Sequence, residues 1–290
     1  MTIKVFYVER QSVRSNDSFS PSAGKPAAAV DDWIRRGLDI EVDEVHCNLA
    51  GPHDISVAHD EKYVMGVLYG RTKNGFGNTS SDVRRSLYYT VGSMASAATY
   101  AAQERHDGRI IAACSPTSGF HHAHWDRGGG FCTFNGLIVA AVAAHNRSAQ
   151  KVGIIDCDYH YGDGTADILS HPGFEYADNI IHFSAGKDYR DTRHATSLLR
   201  KLPDIVAEMA DAGVGTILYQ AGADQHVADP LGGLLTTNQL RQRDRIVFES
   251  CKKHRIPVVW NLAGGYQNPL SKVLDIHRAT MEECIDVFGQ

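Results

Sequence analysis

From Arg109 onward, short apolar runs alternate with stretches of helical periodicity. The runs cover residues 110–114, 152–155, 180–183, 216–219 and 258–260. Between most of them, apolar positions recur every three to four residues, predicting helices over 136–145, 165–171, 192–212 (interrupted at Pro203) and 238–254. Runs this short and this apolar read as strands buried on both faces, which a parallel sheet requires. The N-terminal third is less regular. Residues 3–8 alternate as a first strand, 21–26 form a Pro/Gly turn cluster, and an amphipathic helix follows over about 27–36. A short helix capped by Asp60 begins near His59. After a glycine-rich loop at 74–81, Asp82 is the expected cap of a long helix to about Gln103, whose many small residues predict close packing. The fold class expected is α/β: a single-domain open parallel β-sheet over residues 1–290, flanked by helices on both faces.

Composition narrows the function. The chain has 290 residues, 43% hydrophobic and 22% charged, with a formal net charge of −5. That balance argues against an electrostatic nucleic-acid or membrane-surface role. The N-terminus opens on a strand-like alternation rather than a basic-then-apolar leader, and no apolar run approaches 18 residues. A soluble, cytoplasmic protein is expected. The six cysteines (Cys47, Cys114, Cys132, Cys157, Cys251 and Cys284) lack C-x-x-C spacing, so neither a zinc ribbon nor a disulfide framework is expected.

The chemistry collects where the strands end. Each of the five runs passes into a loop where glycine stands beside an ionisable or hydroxyl-bearing residue: Ser118-Gly-Phe-His-His, Asp156–Gly164, Ser184-Ala-Gly, Ala221-Gly-Ala-Asp-Gln-His and Asn261-Leu-Ala-Gly-Gly-Tyr. In parallel sheets, sites form in the loops beyond the carboxyl ends of the strands. The strongest of these loops is I-I-D-C-D-Y-H-Y-G-D-G-T, where Asp156, Asp158 and His160 occupy alternate positions. Two carboxylates and an imidazole on one face of an extended chain repel or titrate unless a cation sits among them. Asp158, His160 and Asp224 offer three ligands and leave a coordination position for water, as in catalytic zinc sites. His121 and His122 are candidates for general base and general acid, with Asp156 and Asp163 as carboxylates that orient the imidazoles. Tyr266, after two glycines, is a candidate oxyanion donor.

The ordered series S-G-F-H-H-A, G-G-F-C-T-F-N, I-D-C-D-Y-H-Y-G-D-G-T, A-G-A-D-Q-H-V-A-D-P-L-G-G-L and L-A-G-G-Y resembles the histone deacetylase superfamily, which includes bacterial acetylpolyamine amidohydrolases. The resemblance is strong over about residues 110–270 and weaker near Gly24-Lys-Pro and His59-Asp. It implies the arginase/deacetylase fold. It also implies one zinc ion on Asp158, His160 and Asp224, a His121–Asp156 pair, a His122–Asp163 pair and Tyr266 polarising the scissile carbonyl. Gly130 and Phe131 would line a substrate tunnel, and a structural potassium ion would lie near Asp156, Asp158, His160 and Ser184. The implied reaction is hydrolysis of an N-acetyl amide by metal-activated water. The substrate would be an acetylated lysine of a protein or peptide or, as the alternative, an acetylated polyamine. The short stretch at 69–82 favours lysine, because acetylpolyamine enzymes tend to carry a long insertion there. Several positions depart from the family pattern: Tyr161 replaces a second histidine, Asn135-Gly replaces Asn-Asp, and Ser184-Ala-Gly replaces Ser-Leu-His without the Phe-Pro-Gly loop. That last loss bears on the usual second wall of the tunnel and on any second potassium site.

Two rival readings fit less well. A two-manganese ureohydrolase needs further carboxylates where this chain has Gly162 and His226. A non-catalytic acetyl-lysine reader would be expected to lack Tyr266 or a metal ligand, and all are present.

Overall fold

In the computed structural model, described for residues 2–14 and 18–289, seven parallel strands form one sheet. Met1 and Gln290, the limits of the expected domain, and residues 15–17 of the polar stretch before Pro21 lie outside the described residues. The strands are β1 (Ile3–Val5), β2 (Ile40–Val42), β3 (Ala112–Ser118), β4 (Lys151–Asp156), β5 (Ile180–Ser184), β6 (Val214–Gly222) and β7 (Val258–Ala263). They lie in the order β2-β1-β3-β7-β6-β4-β5. The helices are α1 (Lys25–Arg35), α2 (Pro52–Ser56), α3 (Glu61–Leu68), α4 (Ser81–His106), α5 (Gly136–Ser148), α6 (Asp163–Ser170), α7 (Ala195–Asp211), α8 (Thr237–Lys253) and α9 (Ser271–Phe288).

Alternation along the strands divides the core in two. Ile217 and Tyr219 of β6 pack with Trp33 of α1, Leu202 of α7, Phe248 of α8 and Met281 of α9. Leu218, between them, joins the opposite cluster with Val64 of α3, Met94 of α4 and Ile138 of α5. Val258 and Val259 of β7 split the same way, as a period of two demands. The sheet is therefore buried on both faces, which explains why its strands read as continuous apolar runs. All six cysteines are buried and free. No helix of the described residues is long and apolar enough to cross a membrane.

Five local expectations need correction. The cap of α4 is Ser80, whose hydroxyl accepts the Val83 N–H at 3.5 Å, while Asp82 lies in the first turn and pairs with Arg85. Helix α7 begins at Ala195, after a 3-10 turn over Thr192–His194, and runs through Pro203 without a break. Pro203 is exposed, and the buried Leu199, Leu202, Ile205 and Val206 hold the helix on both sides of it. Strand β1 stops at Val5, short of Val8. Strand β2 was not expected, because three residues, half-buried at Ile40 and Val42 and exposed at Glu41, are too few to establish a period. Helix α9 was not expected either, although its buried Val273, Ile276, Thr280, Cys284 and Val287 follow helical spacing.

Candidate active site

The loops after β3, β4, β6 and β7 meet at the carboxyl end of the sheet because these four strands are neighbours in it. A cavity of about 150 Å³ opens there, lined by His121, His122, Phe131, Asp158, His160 and Tyr266, with Gly130, Leu231 and Gly264 among the other residues. Asp224, Asp156 and Asp163 hydrogen-bond to His160, His121 and His122 of this lining, and the Ser184 hydroxyl donates to Asp156.

Asp158 leaves the end of β4 and Asp224 the end of β6, strands that are directly paired. Their carboxylates and His160 offer ligand atoms within 4.8 Å of one another. Nδ1 of His160 lies 3.1 Å from Asp158 Oδ1 and 3.0 Å from Asp224 Oδ2. Burial, then the charge on Asp158, pushes the Asp224 carboxyl up. Burial opposes ionisation of Asp158 as well, yet the His121 charge and the His160 hydrogen bond hold it well below the usual carboxylate range. Two buried carboxylates aimed at one imidazole nitrogen form a donor set that a divalent cation satisfies, so the residues fit a metal. Among the described residues no other group of this kind converges. His226 instead points to the Thr237 hydroxyl at 2.9 Å, and Gly162 offers no side chain.

The two adjacent histidines have different environments. His121 is buried, with Nδ1 2.8 Å from Asp156 Oδ2. Burial alone would lower its pKa, but the charges on Asp156 and Asp158 raise it to about 9. Nδ1 of His122 lies 2.6 Å from Oδ1 of the more exposed Asp163. Burial and the neighbouring His121 push His122 down, so it tends to stay neutral. The Asp156 carboxylate accepts further hydrogen bonds from the Asp158 N–H at 3.1 Å, the Gln220 amide at 3.0 Å and the Ser184 hydroxyl at 3.2 Å.

Tyr266 follows a turn in which Gly264 and Gly265 have φ of +49° and +86°. Its N–H donates to Asp229 Oδ2 at 2.7 Å, and burial raises its phenol well above the usual range, keeping it neutral. Phe131, at φ +65°, has its ring 5.8 Å from Tyr266, and its N–H donates to Gly75 O at 3.1 Å. Phe19 and Phe76 approach the Phe131 ring at 5.2 and 5.9 Å.

Several supporting residues have no role assigned from sequence, although Lys25 and His59 lie in segments that carry the family resemblance. Lys25 is fully buried, its ammonium donating to the Gly264 carbonyl, and burial lowers its pKa to about 8. Arg243, also fully buried, donates from Nη1 to Gly222 O at 2.7 Å and Cys157 O at 3.2 Å, tying the chain beside Asp224 to the chain beside Asp158. His59 accepts the Asn135 N–H on Nε2 at 2.8 Å, and its Nδ1 bonds His124 O at 2.7 Å. A helix sequence containing Arg or Lys gives no local sign that the charge is buried; only the tertiary structure shows it.

A family model for the histone deacetylase domain matches residues 27–192 and 190–281. The chain belongs to the histone deacetylase family. Among its relatives, Histone deacetylase 2 of Arabidopsis thaliana is 31% identical over 173 residues, covering 54% of this chain and 44% of that protein. The acetylpolyamine amidohydrolase of Mycoplana ramosa is 42% identical over 180 residues, covering 54% of this chain and 51% of that one. This family member therefore spans about half the length of these curated relatives. Among solved structures, an acetylpolyamine aminohydrolase from Burkholderia pseudomallei superposes with a TM-score of 0.73 at 17% identity, over 99% of both chains. The HDA15 HD domain gives 0.72 at 18% identity, over 100% of this chain and 95% of that one. At these identities the structural likeness establishes the arginase/deacetylase fold.

Proposed function

We propose that this histone deacetylase family protein is a zinc-dependent amidohydrolase, one catalytic domain, that removes acetyl groups from lysine side chains of peptides or proteins. The observation that carries the reading is the convergence of Asp158, His160 and Asp224 in the same cavity as two histidine–aspartate pairs and a neutral tyrosine. Zinc held by Asp158, His160 and Asp224 would supply Lewis acidity and lower the pKa of water toward about 7.

The side chains divide the remaining work. With Nδ1–H tied to Asp163, His122 presents the lone pair of Nε2 to the cavity. That atom takes the proton the attacking water sheds and returns it to the departing amine nitrogen. His121, held charged by Asp156, faces the negative charge that builds up during attack. The Tyr266 phenol donates a hydrogen bond to the amide oxygen as that oxygen becomes anionic. Gly130 and Phe131 flank the aliphatic stem of the substrate, and the left-handed φ of Gly130 brings its backbone against the His122 ring. A potassium ion near Asp156, Asp158, His160 and Ser184 rests on the family resemblance alone. Asp156 is already saturated by protein donors, so no step here uses that ion.

Acetylpolyamines are the second reading, favoured by the names of the Mycoplana and Pseudomonas aeruginosa relatives. Against it, Asp158 is the one carboxylate among the residues lining the cavity, and a polycation needs acidic groups at the entrance. The decisive experiment measures acetate release by the zinc-loaded chain from acetyl-lysine peptides and from N-acetylspermidine. Faster release from peptides is expected. The reverse order would move the enzyme to polyamines, and release from neither would end the deacetylase reading. Metal analysis should find about one zinc per chain; two manganese ions would favour a ureohydrolase.

A further inference from the structure

The segment after β1 and the first turns of α4 both lie at the carboxyl end of the sheet, where the catalytic cavity opens. Between them runs a groove of about 770 Å³ whose lining includes Arg10, Arg14, Arg85, Asp82, Tyr88 and Tyr89. Ser86 borders this groove and also a narrow cleft lined by Phe131 and Cys132, and those two residues line the catalytic cavity. The groove and the catalytic cavity are thus neighbours at this end of the sheet, with the cleft between them.

Its charge is unbalanced. Among the described residues, Arg85 alone of the three guanidinium groups has a carboxylate partner, Asp82. Arg10 donates to the Tyr89 hydroxyl at 2.8 Å, lies 5.6 Å from the centroid of that ring and has no carboxylate partner among the described residues. Arg14 is exposed and makes no hydrogen bond or ion pair among the described residues. Two guanidinium groups beside two tyrosines suit an anionic chain: the guanidinium fork matches a carboxylate, and the rings pack against peptide.

We propose that this groove holds the polypeptide flanking the acetylated lysine and selects substrates with acidic residues there. The inference rests on the deacetylase reading and adds a substrate class to it. It also means that a polyamine would meet repulsion on this side of the entrance.

The test compares the zinc-loaded chain on acetyl-lysine peptides with Glu, Gln or Lys flanks and on a capped single acetyl-lysine. Glu flanks should lower KM by about three- to tenfold relative to Lys flanks, with kcat little changed and the difference shrinking in salt. Arg14→Glu combined with Arg85→Glu, both exposed positions, should reverse the preference while leaving turnover of the capped residue unchanged. Anisotropy of labelled peptides bound to a Tyr266→Phe chain, whose turnover is slowed, should rank affinities in the same order. Equal KM values across the flanks, or a Glu preference that survives both reversals, would overturn the inference and leave the deacetylase reading standing. Failure to hydrolyse even the capped residue would overturn both.

Discussion

Gly264 lies against the Asp224 carboxylate so closely that a β-carbon at this position would overlap it. The backbone there also takes φ +49°, a conformation glycine adopts without strain. One residue thus lets the tyrosine-bearing turn and a candidate metal ligand share the same space. Gly264→Ala should displace Asp224 and weaken metal binding by about 10- to 100-fold, the range seen when a ligand loses its support. Titration of the folded variant with zinc measures this, and unchanged affinity would show that the contact is not needed.

Tyr266 should matter for turnover and little for metal binding. Removing the hydroxyl in Tyr266→Phe takes away one oxyanion donor, a loss of about 10²–10³ in kcat. Metal content and thermal unfolding should stay as in the parent chain. Full activity on an acetyl-lysine peptide would remove the phenol from the mechanism.

His59 links folding to pH. It is buried at 1% exposure and accepts the Asn135 N–H, so only its neutral form fits. Burial lowers its pKa from 6.5 to about 4. Its contribution is complete above the unfolded value and is lost as pH falls toward the folded one, since the unfolded chain takes up the proton first. At 1.36 kcal/mol per unit, that loss amounts to about 3 kcal/mol. Urea unfolding of the parent and of His59→Gln across this window should show a shallower pH dependence in the variant. Parallel curves would place the acid sensitivity elsewhere.

Helix α4 distinguishes a cap from a neighbour of the cap. Ser80→Ala removes the hydroxyl that accepts the Val83 N–H and should cost about 0.5–1 kcal/mol. Asp82→Ala, which breaks only an exposed pair with Arg85, should cost about 0.5 kcal/mol or less. Chemical denaturation resolves the order, and a larger effect at Asp82 would restore it as the cap.

Much of this molecule was legible in the chain itself. The apolar runs at 152–155 and 258–260 lie inside β4 and β7, because strands buried on both faces must be apolar throughout. Asp156, Asp158 and His160 stood out as a group because they recur at alternate positions after an apolar run, a strictly local signal, although β4 ends at Asp156 and the chain bends over 158–160. Tertiary structure decided what no local rule contains. It inserted β7 and β6 between β3 and β4, so that Asp224 and Tyr266 meet Asp158 from strands distant in sequence. It buried the charges of Lys25 and Arg243 as supports for the same loops, and it placed the cap of α4 at Ser80, two residues before the expected one. Periodicity reports how each segment divides its faces between core and water. Which segments become neighbours depends on burial and hydrogen bonding summed over the whole chain, and the proposed site is the product of those long-range pairings.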